Sequence, residues 1–552
     1  MTIRDLSPLA VGLAAALVPL AAAALDLREM TAGVTVDGIR RHLVVLGSDA
    51  LEGRAPGTRG GDRAAGYIAG ELRRIGLRPM GDQGGYLQQV PLLGSRPLPG
   101  CRLTLSWLGE EEVLTLGEDY LLVTTGEQTL VPRLTPVVFA GYGIAAPEHD
   151  YDDYADLDVR GKVVAFLEGE PSSTDPEYFS GPGSSVYAAV ETKVRIALAR
   201  GAVGSIVLPS ASRDQDWWAG QRRMYSFEHV TSASGLPRHL VLILNPDRVP
   251  GLFTDALFDY ETVLRSEAGS ALRGFHLPVQ LAFRGDFQTR SFLSPNVVAL
   301  LDGADPRMRD QHVVVSAHYD HLGLGPPEGH DVVYNGVVDN ALGVAGALEM
   351  ARVLADLDRR PRRPLLFVFP TGEEAGNLGT RYFLEHPSVA PAQMVANINV
   401  DGLAFLDTFT TVVGIGGELS DLGGLLKDAV RPLGLEVTPG DEVMWSHEAF
   451  ARSDQAAFAE AGVPSILVVE GLGWRHAGRD EARRRLGIWF ETRYHGPGDD
   501  LQQPMELEAS RQHCRAVLAL IWTVAQARDA PQWHPGVPYA YQRLLSLAGH
   551  GR

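Results

Sequence analysis

The segment HVVVSAHYDHLG (residues 312–323) decides the fold class of this chain. Its first half is a near-continuous apolar run, which is typical of a β-strand covered on both faces. Its second half carries two histidines and an aspartate. Three other runs share the apolar character, namely LLFVF (365–369), VANINV (395–400) and SILVV (465–469). We therefore expect buried parallel strands with polar side chains at their carboxyl ends.

Helical periodicity between these runs predicts helices over 340–357 and 421–430, with a further amphipathic helix at about 510–528. Alternating strands and helices are typical of an α/β fold, so the sequence predicts a three-layer sandwich around a mostly parallel mixed sheet. Residues 130–265 contain their own short β-branched runs and an amphipathic helix, and we interpret them as a small inserted α/β domain.

The chain of 552 residues is too long for one ordinary hydrophobic core. We divide it into a signal peptide (1–24), the N-terminal part of the main domain (25–129), the insertion (130–265), the larger part of the main domain (266–530) and a C-terminal tail (531–552).

The leader is almost entirely Ala, Leu, Val, Pro and Gly from residue 6 to residue 25, and small residues at its end offer a cleavage site. This pattern predicts a secreted or periplasmic protein, with an uncleaved membrane anchor as the alternative. No later stretch reaches about 18 uninterrupted apolar residues, so no other membrane span is expected.

The net charge and the cysteine content argue against two classes of function, nucleic-acid binding and metal binding by thiolates. The net charge of −19 argues against nucleic-acid binding, which needs clustered Lys and Arg. Cys101 and Cys514 allow one disulfide in an oxidising compartment, with two buried free thiols as the alternative. Neither cysteine lies in a C-x-x-C motif, so a thiolate metal site is not expected.

Side chains suited to metal binding follow the predicted strands or lie in nearby loops. Imidazole and carboxylate without thiolate form the typical ligand set of catalytic zinc. Two zinc ions about 3.5–4 Å apart need a bridging carboxylate and two terminal ligands each. With Asp339 as the bridge, His318 and Asp401 complete one site, and Glu374 and His495 complete the other.

Glu373 remains outside this ligand set. Adjacent side chains at a strand end point in different directions, so Glu373 can face the attacking water and act as the general base. Asp320 follows His318 by two residues, and Asp499 follows His495 by four. Each aspartate is expected to accept the second ring N–H of its histidine, which makes Asp320 a further candidate for the catalytic apparatus.

Six motifs occur in the order found in the co-catalytic zinc peptidase family that contains bacterial leucyl-type aminopeptidases, to which glutamate carboxypeptidase and glutaminyl cyclase are related. The resemblance rests on SAHYDHLG, YNGVVDNALG, PTGEEAGNLGT, NINVDG, RSDQAAFAEAGVP and YHGPGDD. It implies a zinc peptidase acting on peptides, with the five ligands and Glu373 in the roles given above. It also implies a cis peptide bond between Asp339 and Asn340.

Residues 130–265 resemble the non-catalytic protease-associated domain inserted in many such enzymes, chiefly through VVFAGYGIAAPEHDYDDYADLDVRGKVV. The chain departs from the family pattern at Gln455-Ala456, where His or Tyr is common, so we expect an altered substrate wall there. Aminopeptidase activity is the leading interpretation, because Asp454 can face a substrate ammonium. A carboxypeptidase, for which Arg452 would grip the substrate carboxylate, a glutaminyl cyclase and a non-catalytic binding protein are the alternatives.

Overall fold

The structure is a computed structural model. It describes residues 27–126, 129–175, 178–179, 181, 185–211, 216–233, 239–267, 272–440 and 450–550. The expected signal peptide, residues 1–24, lies outside the described residues and stays a prediction.

The strands and helices are numbered in chain order. The strands are β1 (Arg78–Pro79), β2 (Leu87–Pro97), β3 (Arg102–Trp107), β4 (Glu110–Leu114), β5 (Tyr120–Leu122), β6 (Val131–Phe139), β7 (Ala145–Ala146), β8 (Tyr151–Asp152), β9 (Val163–Leu167), β10 (Gly204–Leu208), β11 (His229–Ser232), β12 (Leu240–Leu244), β13 (Phe275–Arg284), β14 (Phe287–Leu301), β15 (His312–Ser316), β16 (Gly323–Glu328), β17 (Asp331–Tyr334), β18 (Leu365–Phe369), β19 (Met394–Asn399), β20 (Thr411–Ile415), β21 (Glu436–Val437) and β22 (Ser465–Glu470). The α-helices are α1 (Val36–Leu46), α2 (Arg59–Arg74), α3 (Val190–Ala199), α4 (Trp217–Met224), α5 (Val249–Leu252), α6 (Tyr260–Glu267), α7 (Gly343–Asp356), α8 (Leu378–Glu385), α9 (Leu422–Val430), α10 (Asp454–Glu460), α11 (Arg479–Thr492), α12 (Leu507–Gln526) and α13 (Pro538–His550).

The main sheet is mixed, and its centre is parallel. Its strand order is β11-β2-β14-β18-β15-β19-β22-β20-β21, with β1 beside β14. The four central strands, β18, β15, β19 and β22, run parallel to one another. They are the four apolar runs from which the sequence predicted the sheet, so the α/β fold class is confirmed. The flanking strands β14, β2 and β20 pair antiparallel with their inner neighbours.

Helices cover both faces of this sheet. Along β18, Leu365 and Phe367 face one hydrophobic core, and Leu366 and Val368 face another. The first core also takes buried residues from α1, α2, α7, α9 and α12, and the second takes Phe383 of α8 and Phe458 of α10. Because strand side chains alternate between faces, this pattern produces the predicted three layers.

A second sheet has the order β4-β3-β13-β6-β9-β10-β12-β5. It includes strands from 102–122 and from 275–284, and therefore extends beyond the predicted insertion of 130–265 on both sides. The reason is strand pairing, since β3 has its partner in β13, with Arg102 opposite Arg284. Hydrophobic cores lie on both faces of this sheet as well.

One strand from within the predicted insertion belongs to the main sheet instead. β11 pairs antiparallel with β2, next to β14. Just before β11, Glu228 forms an ion pair with Arg290 of β14 at 2.6 Å. The segment 228–232 therefore forms an edge of the main sheet.

Both cysteines are buried and free, which agrees with the second alternative drawn from the sequence. Within the part of the chain that the structure describes, no helix combines the length and hydrophobicity that a membrane span requires.

The buried Glu349 of α7 forms an ion pair within its own helix and hydrogen bonds to the start of α1. The Glu349 side chain is fully buried and accepts hydrogen bonds at 3.0 Å from the backbone N–H and the hydroxyl of Thr35, which also caps α1. Arg352 donates two more bonds at 2.8 Å. Burial raises the pKa of Glu349, but the bonds from Arg352 and Thr35 outweigh it and hold the pKa below its usual value.

We expect Glu349→Gln to lower the free energy of unfolding by about 1.5–3 kcal/mol, because Arg352 loses its buried charged partner. Asp356→Asn is the matched control, since the 65% exposed Asp356 pairs with the same Arg352 at 2.9 Å and should contribute less than about 1 kcal/mol. Because the folded-state pKa of Glu349 is lowered, its contribution is present above the unfolded-state pKa and is lost as pH falls through the folded value. The free energy of unfolding is measured by urea titration at neutral and acidic pH. Equal free energies for the wild type and both variants at neutral pH would contradict the prediction.

Candidate metal centre

The carboxyl edge of the main sheet gathers the predicted ligands. His318 follows β15, Glu374 follows β18 and Asp401 follows β19. Asp339 lies in an irregular helical turn, Val337–Leu342, directly before α7, and the peptide bond after it is cis, as the resemblance implies.

His318 forms one half of the cluster, together with Asp401 and one oxygen of Asp339. Its Nε2 is 3.2 Å from Oδ1 of Asp401 and 3.4 Å from Oδ1 of Asp339. The imidazole is almost completely buried, whereas the Asp401 side chain is about one-fifth exposed. The cluster is therefore partly open to solvent at Asp401.

His495 lies in the loop after α11 and forms the other half of the cluster, together with Glu374 and the second oxygen of Asp339. Its Nε2 is 3.2 Å from Oδ2 of Asp339 and 3.1 Å from Oε2 of Glu374. The two carboxylate oxygens of Asp339 thus face two different imidazoles. A carboxylate that bridges two metal ions presents its oxygens in this way.

The donor chemistry fits zinc. Ligand atoms of His318, Asp339 and Asp401 all lie within 4.8 Å of one another. Nε2 of His495 is buried and forms no hydrogen bond within the described structure, despite the two carboxylate oxygens beside it. A bound cation would satisfy this nitrogen, and imidazole with carboxylate is a typical zinc ligand set.

His321, to which the sequence assigned no role, also belongs to the cluster. Its Nδ1 lies 2.5 Å from Oε1 of Glu374, and it groups with Asp339 and Glu374 as a possible ligand set. Its Nε2 is buried and has no partner within the described residues. The available signal was its position three residues after His318, on the same strand-end segment.

The electrostatics of the cluster follow from burial and charge. Burial alone would lower the pKa of His318, but the carboxylates of Glu373 and Asp401 raise it well above the usual value. Burial and Asp339 raise the pKa of Glu374, but His495 and His321 outweigh them and lower it to about 2. Glu374 is therefore an anion, as a metal ligand must be.

Side chains behind the cluster hold its backbone in place. The Asn340 amide donates to the carbonyls of His318 at 3.2 Å and Val400 at 2.9 Å, and its oxygen accepts the N–H of Gly402 at 2.9 Å. Asn340 therefore connects the His318 segment to the Asp401 segment.

The prediction that Asp499 accepts the ring N–H of His495 is wrong. The Asp499 carboxylate accepts backbone N–H groups of Val338 at 3.0 Å and Asp339 at 3.2 Å, and not the ring N–H of His495. The short loop between His495 and Asp499 folds the carboxylate under the Asp339 turn, where unpaired N–H groups need an acceptor.

Asp320 also differs from expectation. Nδ1 of His318 lies 3.3 Å from the backbone carbonyl of Asp320 and 3.8 Å from its carboxylate, too far for a hydrogen bond to the latter. The carboxylate accepts the backbone N–H of Glu373 at 3.2 Å instead. Asp320 is therefore placed to orient the segment that carries Glu373.

Glu373 itself lies beside the ligands. Its carboxylate comes within 4.8 Å of ligand atoms of His318 and Glu374. Burial raises the pKa of Glu373, His318 lowers it, and the carboxylates of Asp401 and Glu374 raise it further, to well above the usual value. A carboxylate with a raised pKa in a cleft is suited to carry a proton.

The sequence profile of peptidase family M28 matches residues 296–521. This region of the chain is therefore similar to peptidase family M28. This is a zinc metallopeptidase family, and the matched region contains all five predicted ligands and Glu373.

The M28 region is similar to curated proteins of comparable type. A probable zinc metalloprotease of Pyrenophora tritici-repentis is 24% identical over 267 residues, which cover 43% of this chain and 58% of that protein. Leupeptin-inactivating enzyme 1 of Streptomyces exfoliatus is 24% identical over 242 residues, which cover 43% of this chain and 50% of that protein. The chain thus spans little more than half the length of these relatives.

A solved structure shares the fold over most of the chain. The aminopeptidase from Aneurinibacillus sp. strain AM-1 superposes with a TM-score of 0.56 at 16% identity, and the match covers 91% of this chain and 97% of that one. At this identity the likeness establishes the fold.

Residues 452–455, which the sequence places near the substrate, also lie in the matched region. Asp454 is fully buried and accepts a 2.5 Å hydrogen bond from Thr380, while its second oxygen has no partner within the described residues. Gln455 is buried and accepts a hydrogen bond from the Asn399 amide at 2.8 Å, and the expected change of the substrate wall stays a prediction. Arg452 is exposed.

We expect Glu373→Gln and Glu374→Gln to differ in metal binding. Glu374 contacts two imidazoles, so its neutral amide should weaken zinc binding by about 10-fold or more. Glu373 contacts none of them directly and should leave the zinc content unchanged. Metal content after dialysis at defined free zinc decides the matter, and loss of zinc from Glu373→Gln alone would reverse the two roles.

Proposed function

We propose that the chain is a zinc-dependent exopeptidase, specifically an aminopeptidase with two zinc ions that removes N-terminal residues from peptides. The observation that carries this proposal is Asp339, whose two oxygens face His318 and His495 separately beside a carboxylate, Glu373, that is free to move a proton. The match of residues 296–521 to the M28 family model supports the chemistry.

The two ions would share Asp339. His318 and Asp401 would complete one site, and Glu374 and His495 would complete the other. When bound, zinc supplies Lewis acidity that polarises the scissile carbonyl and makes water a better nucleophile.

Glu373 would take a proton from the attacking water and return it to the leaving amine. Its raised pKa suits this role, because the group must hold the proton between the two steps. The hydrogen bond from the Glu373 N–H to Asp320 fixes the backbone at this position, and Asp320 has no other described role in the reaction.

Charge favours the amino end of a peptide as the bound group. Besides the fully buried Asp454, the cluster contains five buried or half-buried carboxylates, and this negative charge suits a substrate ammonium; the five are those of Asp320, Asp339, Glu373, Glu374 and Asp401. Arg452, which a carboxypeptidase could use, is exposed. The relative of Streptomyces exfoliatus is described as inactivating leupeptin, which is consistent with action on small peptides.

The unit built on the second sheet would be a protease-associated domain that shapes access to the site. The support is its contact with the hairpin β16–β17, which connects His321 to Asp339. Arg223 pairs with Glu328 of this hairpin at 2.6 Å, and the ring of Phe227 packs edge-on against Tyr334 with 4.9 Å between ring centroids.

The proposal is tested with three reporter classes, namely free aminoacyl amides, the same amides with a blocked N-terminus, and peptides with a C-terminal reporter. We expect hydrolysis of the first class only, loss of activity with a chelator and recovery with zinc. Glu373→Gln should lower turnover by about 10²–10⁴-fold with little change in substrate affinity. Cleavage of the C-terminal reporter alone would indicate a carboxypeptidase, and activity in metal-free protein would exclude the mechanism.

A further inference from the structure

Arg54 is a fully buried cation next to the metal centre, and the mechanism above does not use it. It ends the short helical turn Asp49–Arg54 between α1 and α2, and its side chain is 1% exposed. Its backbone has φ +55, in the left-handed region that few residues other than glycine adopt. Burying a charge and holding an uncommon backbone conformation both cost folding free energy, so the contacts of Arg54 must offset this cost.

The guanidinium bonds to backbone carbonyls of the segments that carry the ligands. Nε donates to Tyr319 at 2.6 Å, directly after His318. Nη1 donates to Asn335 at 2.5 Å and Nη2 donates to Gly336 at 2.9 Å, three residues before Asp339. Nη1 also donates to Leu46, at the end of α1, at 2.8 Å.

The planar guanidinium therefore connects three segments through one rigid group. A lysine has its donors on a single nitrogen and cannot reproduce this geometry. Asn335 strengthens the same junction, since its amide donates to Asp49 at 2.9 Å and to the carbonyl of Gly47 at 3.2 Å.

The charge of Arg54 also faces the acidic cluster. Burial lowers the pKa of Arg54 to about 10, against the opposing effect of nearby carboxylates, chiefly Asp320 and Asp339. Arg54 thus remains protonated at neutral pH. It is a fixed positive charge beneath carboxylates that would otherwise repel one another.

We propose that Arg54 is a positioning residue of the metal centre, which sets the spacing between the His318 segment and the Asp339 segment and thereby sets zinc affinity. The inference rests on the proposed zinc site. It assigns Arg54 no contact with substrate.

A matched control exists at the other end of the sheet. Arg363 is also fully buried, with 0% exposure, and donates to the backbone carbonyl of Val524 at 3.0 Å and to that of Ala527. It precedes β18 at the amino end, whereas the metal centre lies at the carboxyl end. Its removal should destabilise the fold without moving the ligands.

The experiment compares Arg54→Gln, Arg54→Lys, Arg363→Gln and Arg363→Lys in the full chain by zinc titration against a competing chelator. Changes in residues that hold metal ligands in place typically lower metal affinity by about 10–100-fold, and we expect this for Arg54→Gln, with Arg54→Lys intermediate. Both Arg363 variants should lower the melting temperature and keep the wild-type zinc affinity. Turnover of Arg54→Lys should recover at saturating zinc.

Hydrogen exchange of the metal-free proteins gives a second measurement. Backbone amides of 318–321 and 335–339 should exchange faster in Arg54→Lys than in Arg363→Lys. Wild-type zinc affinity and exchange in Arg54→Lys, or equal losses in the two lysine variants, would overturn the proposal. If the wild type itself bound no zinc, the proposed function would fail, and the exchange data would still decide whether Arg54 fixes these segments.

Discussion

Charge crowding at the carboxyl edge of the main sheet is the constraint on which the site depends. Parallel strands β15, β18 and β19 end side by side, and the acidic residues that follow them share one small volume. Carboxylates at such separations favour protonation unless positive charge lies among them. Imidazoles lie between the carboxylates, the Arg54 guanidinium lies nearby, and bound cations would complete the charge balance.

Backbone atoms, more than side chains, hold this arrangement together. Asn340 bonds to the main chain around His318 and Asp401, and Asp499 bonds to the main chain around Asp339. A carbonyl or an amide N–H is fixed by its segment, so a bond to it positions the whole segment. The ligands then need little freedom of their own, which is the condition for a preorganised metal site.

Much of this could be predicted from the sequence, because buried parallel strands give uninterrupted apolar runs and ligands follow their ends. All four central strands were predicted in this way, and so was the convergence of the five candidate ligands, three of which follow strands while Asp339 and His495 lie in loops. The partners of Asp320 and Asp499 could not be predicted, because spacing along the chain does not determine which backbone group a carboxylate reaches. The role of His321 beside Glu374, like the contacts of Arg54, depends on segments that only the folded chain brings together.

The pairing of β3 with β13 has a consequence for how the chain folds. β2 and β14 are neighbours in the main sheet although residues 98–286 lie between them. Closing so long a loop costs entropy, and non-local strand pairs form slowly for that reason. Once the intervening unit has folded, Arg102 and Arg284 lie opposite each other, so the ends that must meet are already close. The folded unit then holds the ends of β2 and β14 close together, although β11 from the same segment also joins the main sheet. The order of synthesis allows this unit to fold before β14 emerges.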